Sequence, residues 1–235
     1  MVELNLETVR SHLRRVILDY SKYSGLSYED VTKLVRKGPE LSSNEWKYTI
    51  VTGSDEEILR FYMQSKNYIF ETLQPYLEPE KYAKDLNYLR ILSFARKILR
   101  NKGHCRVLDF GGGVGELSIL LAKIGCEVTY ADLPGIMMEF AKWRFNEHNV
   151  CIKLIPSRID GIKLPTNYYD LIVSDAVIEH LKQKYLESFI RAFVSALVDD
   201  GYMYILWDPS YAEKYPYHIL GLGIKELDGI LRKHI

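Results

Sequence analysis

Through the first hundred residues apolar side chains recur at helical spacing. Val9, Leu13, Val16, Ile17 and Tyr20 share one face of a helix predicted over residues 8–20. Ser27 is placed to cap a second helix over residues 28–36, with Asp30 in the acidic position of a capping-box-like start. Residues 37–44 are polar and hold Gly38 and Pro39, so a loop is expected there. Ser54 followed by Asp55, Glu56 and Glu57 is a strong helix start: a hydroxyl to cap, then acids facing the positive end of the dipole. That helix is expected to reach residue 73, before Pro75, and a longer one to span residues 80–101 and end at Gly103.

Past residue 103 the pattern changes. Short apolar runs at residues 106–110, 127–131, 150–155, 169–174 and 202–207 read as strands. Helical stretches at 116–123, 134–147, 183–197 and 224–233 alternate with them. Strands separated by helices define the α/β class, and right-handed crossovers make a doubly wound, mostly parallel sheet of five strands the expected fold. Residues 1–102 then form a helical N-terminal cap and residues 103–235 the core. A fifth strand at the sheet edge would attract a partner. Residues 46–52, whose Tyr48-Thr-Ile-Val-Thr52 has strand character, are expected to cover it, or else a second subunit in a homodimer.

Composition narrows the function. At 47% hydrophobic and 26% charged the chain is too apolar to be disordered. Its 31 basic and 31 acidic side chains leave no global excess to hold nucleic acid. Cys105, Cys126 and Cys151 are well separated, and no Cys/His cluster has zinc spacing, so no metal site is expected. The opening MVELNLETVRSHLRR has no apolar core of a signal peptide, and no apolar run approaches the ~20 residues of a membrane span. A soluble cytoplasmic protein is the expectation.

The most informative segment is Val107-Leu-Asp-Phe-Gly-Gly-Gly-Val-Gly-Glu116. A strand runs directly into a glycine turn and then a helix, where α/β sheets bind ligands. The Lys-Ser/Thr of a phosphate loop does not follow. In a dinucleotide fingerprint counted from Gly111, Gly113 is in place, but Glu116 stands where the last glycine belongs and would face a pyrophosphate. Asp109, two residues before the turn, adds to the mismatch. A nucleoside with few or no phosphates and some positive charge is implied. Asp132 ends the second strand 23 residues after Asp109, near the ~20-residue spacing of a ribose-binding acid.

Residues 107–115 resemble the first motif of the class I S-adenosylmethionine-dependent methyltransferases. Three further segments are similar to that family in order. They are Val128-Thr-Tyr-Ala-Asp-Leu133, Asp160-Gly-Ile-Lys-Leu-Pro165, and Tyr169-Asp-Leu-Ile-Val-Ser-Asp-Ala-Val-Ile-Glu-His-Leu181. The resemblance covers residues 103–220. It implies a cofactor with a sulfonium, an ammonium, a carboxylate and an adenosine. Gly111 and Gly113 would touch it, Asp132 would take its ribose, Asp160 its adenine amino group, and Leu133 and Ile159 would flank the ring. Asp109, Asp175 and Ala176 would line the methionine end. The bland readings are a tight turn for the glycines, a helix cap for Asp132, and packing or loop acids for the rest.

His180, in Ile178-Glu-His-Leu181, would lie near the methyl donor, and a histidine there can serve as a base; His218 could also reach the pocket. The family's last two strands form a hairpin, for which no strands are counted here. Asp208-Pro-Ser-Tyr211 is similar to a base-methylating motif but follows the fifth strand instead of the fourth, which argues against that substrate. Among 18 tyrosines, those in the cap offer aromatic walls for an apolar or aromatic acceptor. The expected activity is in-line methyl transfer to a small-molecule acceptor. RNA or protein methylation, aminopropyl transfer and a non-catalytic binding module are the alternatives.

Overall fold

The computed structural model describes residues 4–207, 215–219, 228–230 and 232. Five helices come first: α1 (Leu6–Ser24), α2 (Tyr28–Thr49), α3 (Asp55–Gln64), α4 (Tyr68–Leu77) and α5 (Lys84–Lys102). Strands and helices then alternate: β1 (Arg106–Phe110), α6 (Glu116–Lys123), β2 (Glu127–Asp132), α7 (Ile136–Glu147), β3 (Lys153–Pro156), β4 (Tyr169–Asp175), α8 (Gln183–Ala196) and β5 (Leu197–Leu206). The sheet order is β3-β2-β1-β4-β5 and every pairing is parallel, as the α/β pattern predicts.

Successive residues of a strand face opposite sides of the sheet. Val107 accordingly packs with α5, α6 and α7, whereas Leu108 and Phe110 pack with α8. Both faces are covered, which is why the central strands read as continuous apolar runs. Among the described residues, β5 pairs with β4 and no other strand.

The cap departs from its sequence pattern at three places, each for a tertiary reason. Residues 37–44 are helical, inside α2, despite Gly38 and Pro39. Gly38 packs against the backbone of α4, where an added Cβ would lie 2.5 Å from the Glu71 nitrogen, so the glycine serves a close helix crossing. The helix expected over residues 54–73 is two helices. Ser65 Oγ and Asn67 Nδ2 donate to Glu45 at 2.8 and 2.7 Å, and Ser65 Oγ accepts from the Tyr68 amide, which turns the chain between α3 and α4. Pro75 lies within α4 and does not end it. Finally, residues 46–52 form no strand: α2 continues to Thr49, and Trp46 in its last turn packs on Phe61 and Tyr217, so the expected cover of the β5 edge is absent from that segment. The Ser54 cap is present, as a reciprocal box with Glu57. Of the helix expected over residues 224–233, only residues 228–230 and 232 are described, and Asp208-Pro-Ser-Tyr211 lies outside the described residues.

A buried ion network fixes α1 to the core. Arg144 on α7 is fully buried. It donates to Asp19 of α1 at 3.0 Å, to the Val114 carbonyl at 2.8 Å, and to Glu116 of α6. His148 Nε2 lies 2.8 Å from the same Asp19.

Candidate active site

Strand order reverses between β1 and β4, so the loops leaving their carboxyl ends diverge and open a crevice. A cavity of about 570 Å³ lies there. The glycine turn after β1 forms one wall. Gly111 has φ +68° and a Cβ at that position would lie 2.3 Å from Val177, so only glycine fits between β1 and the loop after β4. Gly113 has φ +53°, and its missing Cβ faces open space, with Thr72 3.8 Å away. The turn thus presents bare backbone to the cavity.

Asp132 joins this turn to the end of β2. Its Oδ2 accepts from the Gly113 amide and its Oδ1 from the Leu133 amide, both at 2.7 Å. Tyr130 holds the turn as well, donating its hydroxyl to the Gly113 carbonyl at 2.7 Å. Burial raises the Asp132 pKa, and the two amides pull it back. The Tyr130 hydroxyl also lies 3.3 Å from Oδ2, so Oδ1, with the Leu133 amide alone, keeps a lone pair for an incoming hydroxyl.

Asp109 is buried behind the turn and accepts from Ser118 Oγ at 2.6 Å. Burial pushes its pKa up to about 7 against that bond. Asp175 closes the same side with Lys84, 2.6 Å away. The Lys84 ammonium also lies over the Tyr76 and Tyr88 rings. Burial opposes its charge, but Asp175 outweighs burial and raises its pKa. Ala176 follows in the left-handed region at φ 56°. Leu133 and Ile159 line the cavity beside Asp132.

Asp160 is not brought to the cavity. Arg158 and Gly161 pair as an antiparallel bridge, and Asp160 accepts a fork from Arg158 at 2.9 and 3.2 Å with its side chain 44% exposed. The tight turn directs the carboxylate to its own neighbour.

The opposite end of the cavity is aromatic. His180 sits in a 3₁₀ turn after β4, with Nδ1 3.1 Å from the Tyr62 hydroxyl and 3.2 Å from the Tyr217 carbonyl. Tyr62 donates to that same carbonyl at 2.7 Å. With the Nδ1 proton directed to the Tyr217 carbonyl, the lone pair is left on Nε2. Burial and the neighbouring His218 lower the His180 pKa to about 3. The His218 ring stands perpendicular to that of His180, 4.7 Å away.

Three residues given no role by the sequence pattern also belong here. Lys84, described above, is one. Glu71 on α4 accepts from the Tyr217 hydroxyl, and burial pushes its pKa up to about 7. Glu179 is 5% exposed, and one donor atom each from Glu179, His180 and His218 lie within 4.8 Å of one another. That grouping revises the expectation of no metal-ligand set. Residues 180 and 218 are too far apart in sequence for spacing to reveal it.

The geometry has known counterparts. The sheet superposes on the YcgJ protein of Bacillus subtilis with a TM-score of 0.51, at 19% identity over 61% of this chain and 66% of that one. Residues 107–201 match the methyltransferase domain family. Residues 107–201 thus carry a methyltransferase domain, on a sheet of the fold shared with the YcgJ protein. It is 30% identical over 143 residues to protein arginine N-methyltransferase 1.1 of Arabidopsis thaliana, covering 58% of this chain and 36% of that protein. It is equally similar over 95 residues to a ubiquinone biosynthesis O-methyltransferase of a Methylobacterium species, 40% of this chain and 37% of that protein. The chain thus spans little more than a third of the length of these relatives. Among the described residues, no helix is long and apolar enough to cross a membrane.

Proposed function

We propose that this protein transfers the methyl group of S-adenosylmethionine to a small-molecule acceptor. One observation carries the reading: a single cavity runs from the glycine turn and Asp132 to the aromatic group of Tyr62, Tyr68, His180 and Tyr215. The residues present fit the cofactor. Asp132 offers a lone pair to a ribose hydroxyl, Leu133 and Ile159 offer apolar walls to adenine, and the bare backbone at Gly113 allows close approach. Asp175 and Lys84 present one charge of each sign on the same wall for an amino-acid moiety.

When bound, S-adenosylmethionine supplies a methyl group already activated on a sulfonium. The chain's own residues then chiefly orient and enclose. The tyrosines of α3 and α4 narrow the acceptor end, exclude water and hold the acceptor in line. Orientation of this kind can contribute on the order of 7–11 kcal/mol. The similarity to an O-methyltransferase of small-molecule biosynthesis supports this acceptor class, and the enclosed aromatic walls suit it better than an RNA surface.

Two measurements test the reading. Calorimetric titration should show S-adenosylmethionine binding that weakens in Asp132→Ala. Release of S-adenosylhomocysteine should then be followed over phenols, amines, carboxylic acids and an arginine-containing peptide. Turnover with a small molecule supports the proposal. Turnover confined to the peptide overturns the acceptor class, and absence of cofactor binding overturns the whole.

A further inference from the structure

We propose that Glu179, His180 and His218 form a binding site for a divalent transition-metal ion at the acceptor end of the cavity. One ligand atom from each lies within 4.8 Å of the other two, so a small contraction brings all three to a common centre. The His180 and His218 rings are 4.7 Å apart and nearly perpendicular, at 85°. Rings so arranged can each direct one nitrogen toward the same point.

The surroundings are those of a supported ligand. His180 Nδ1 is engaged by the Tyr217 carbonyl and the Tyr62 hydroxyl, which fixes the ring and leaves Nε2 as the donor. A backbone carbonyl on the far nitrogen is the usual device that orients a metal-bound histidine. Tyr62 is itself tied to the Tyr217 carbonyl, so the support does not depend on one bond. Glu179 is a buried carboxylate, and a bound cation would offset part of the cost of burying its charge.

The donor chemistry selects the ion. Two imidazoles and one carboxylate suit zinc, iron, cobalt or nickel, whereas magnesium and calcium prefer an all-oxygen set. Three protein ligands leave at least one position open. Residues Glu179, His180 and His218 all line the cavity, so that position faces the acceptor space. An oxygen or nitrogen of the acceptor would complete the coordination and be held as a Lewis-acid ligand. This last consequence rests on the methyl-transfer reading; the ion site itself does not.

The test uses the full chain without an affinity tag, stripped with a chelator and titrated with Co²⁺. Ligand-field bands should saturate at one ion per chain. His218→Ala and Glu179→Gln should each weaken Co²⁺ affinity by roughly tenfold or more. Thermal melting and S-adenosylmethionine affinity near those of the parent would show that the variants fold. Should Glu179→Gln fail to fold, His218→Ala, at a half-buried position, carries the comparison. Absence of saturable Co²⁺ binding, or binding that ignores the substitutions tested in folded protein, overturns the site. Cofactor binding is measured separately, so its failure would count against methyl transfer and leave the Co²⁺ result standing.

Discussion

The Gly113 amide donates to Asp132 at 2.7 Å, so the turn after β1 and the acid ending β2 are one unit. Asp132→Ala strips the acceptor from two amides at once, those of Gly113 and Leu133. The expected loss is about 1–3 kcal/mol of stability by urea unfolding. Cofactor affinity should fall by roughly 10–100-fold in calorimetry, since the turn loses its anchor and the ribose its acceptor.

Gly38 and Gly25 make a contrast. A Cβ at 38 would meet Glu71 and Phe70 backbone atoms at 2.5–2.7 Å, whereas at 25 it would meet nothing within 4 Å. Gly25→Ala costs the left-handed conformation, about 1–2 kcal/mol. Gly38→Ala must separate α2 from α4, and the expected loss is larger, about 1–3 kcal/mol or more, because backbone cannot rotate out of the way. Parallel melting curves of the two variants decide the order.

Arg144 is the cation of a buried network shared by three helices. Arg144→Met leaves the Asp19 and Glu116 carboxylates buried with their principal partner gone, and should cost about 3–5 kcal/mol. Adding Asp19→Asn and Glu116→Gln to that variant removes the stranded charges and should recover part of the loss. Denaturant midpoints of the single and triple variants measure it.

Glu71 predicts a pH dependence. Ser42 Oγ lies 2.5 Å from both the Gly38 carbonyl and Glu71 Oε2, and one hydroxyl proton cannot serve two acceptors. A protonated Glu71 resolves this by donating to Ser42, consistent with a pKa pushed up to about 7 by burial. The folded state then holds a proton that the unfolded state releases near 4.5, so this group's contribution to stability falls as pH rises from about 4.5 to 7. Glu71→Gln should flatten that part of the stability profile and gain on the parent between pH 5 and 8, followed by thermal melting.

What the sequence disclosed, it disclosed through local signals. Residues 107–116 carry the strand, turn and helix start in one stretch, and Ser54 with its three acids marks a helix start by itself. The misreadings arose where distant chain decides. Gly38-Pro39 spells a loop to its neighbours, but α4 presses on it and keeps it helical. Ser65 and Asn67 break a helix because Glu45, twenty residues away, takes their donors. Asp160 fits a family pattern, yet Arg158 claims its carboxylate. Lys84 and Glu71 gain significance only from residues on other elements, and Glu179 only once His218 is brought beside it and His180.

The Tyr62 hydroxyl reaches the Tyr217 carbonyl across 155 positions of chain. On a ribosome, where synthesis runs from the N-terminus, the sheet and most of its helices can assemble before residue 217 emerges. The aromatic end of the cavity must then be among the last parts to close. A ligand that spans both ends binds only chains in which residue 217 has docked, and stabilises them by mass action.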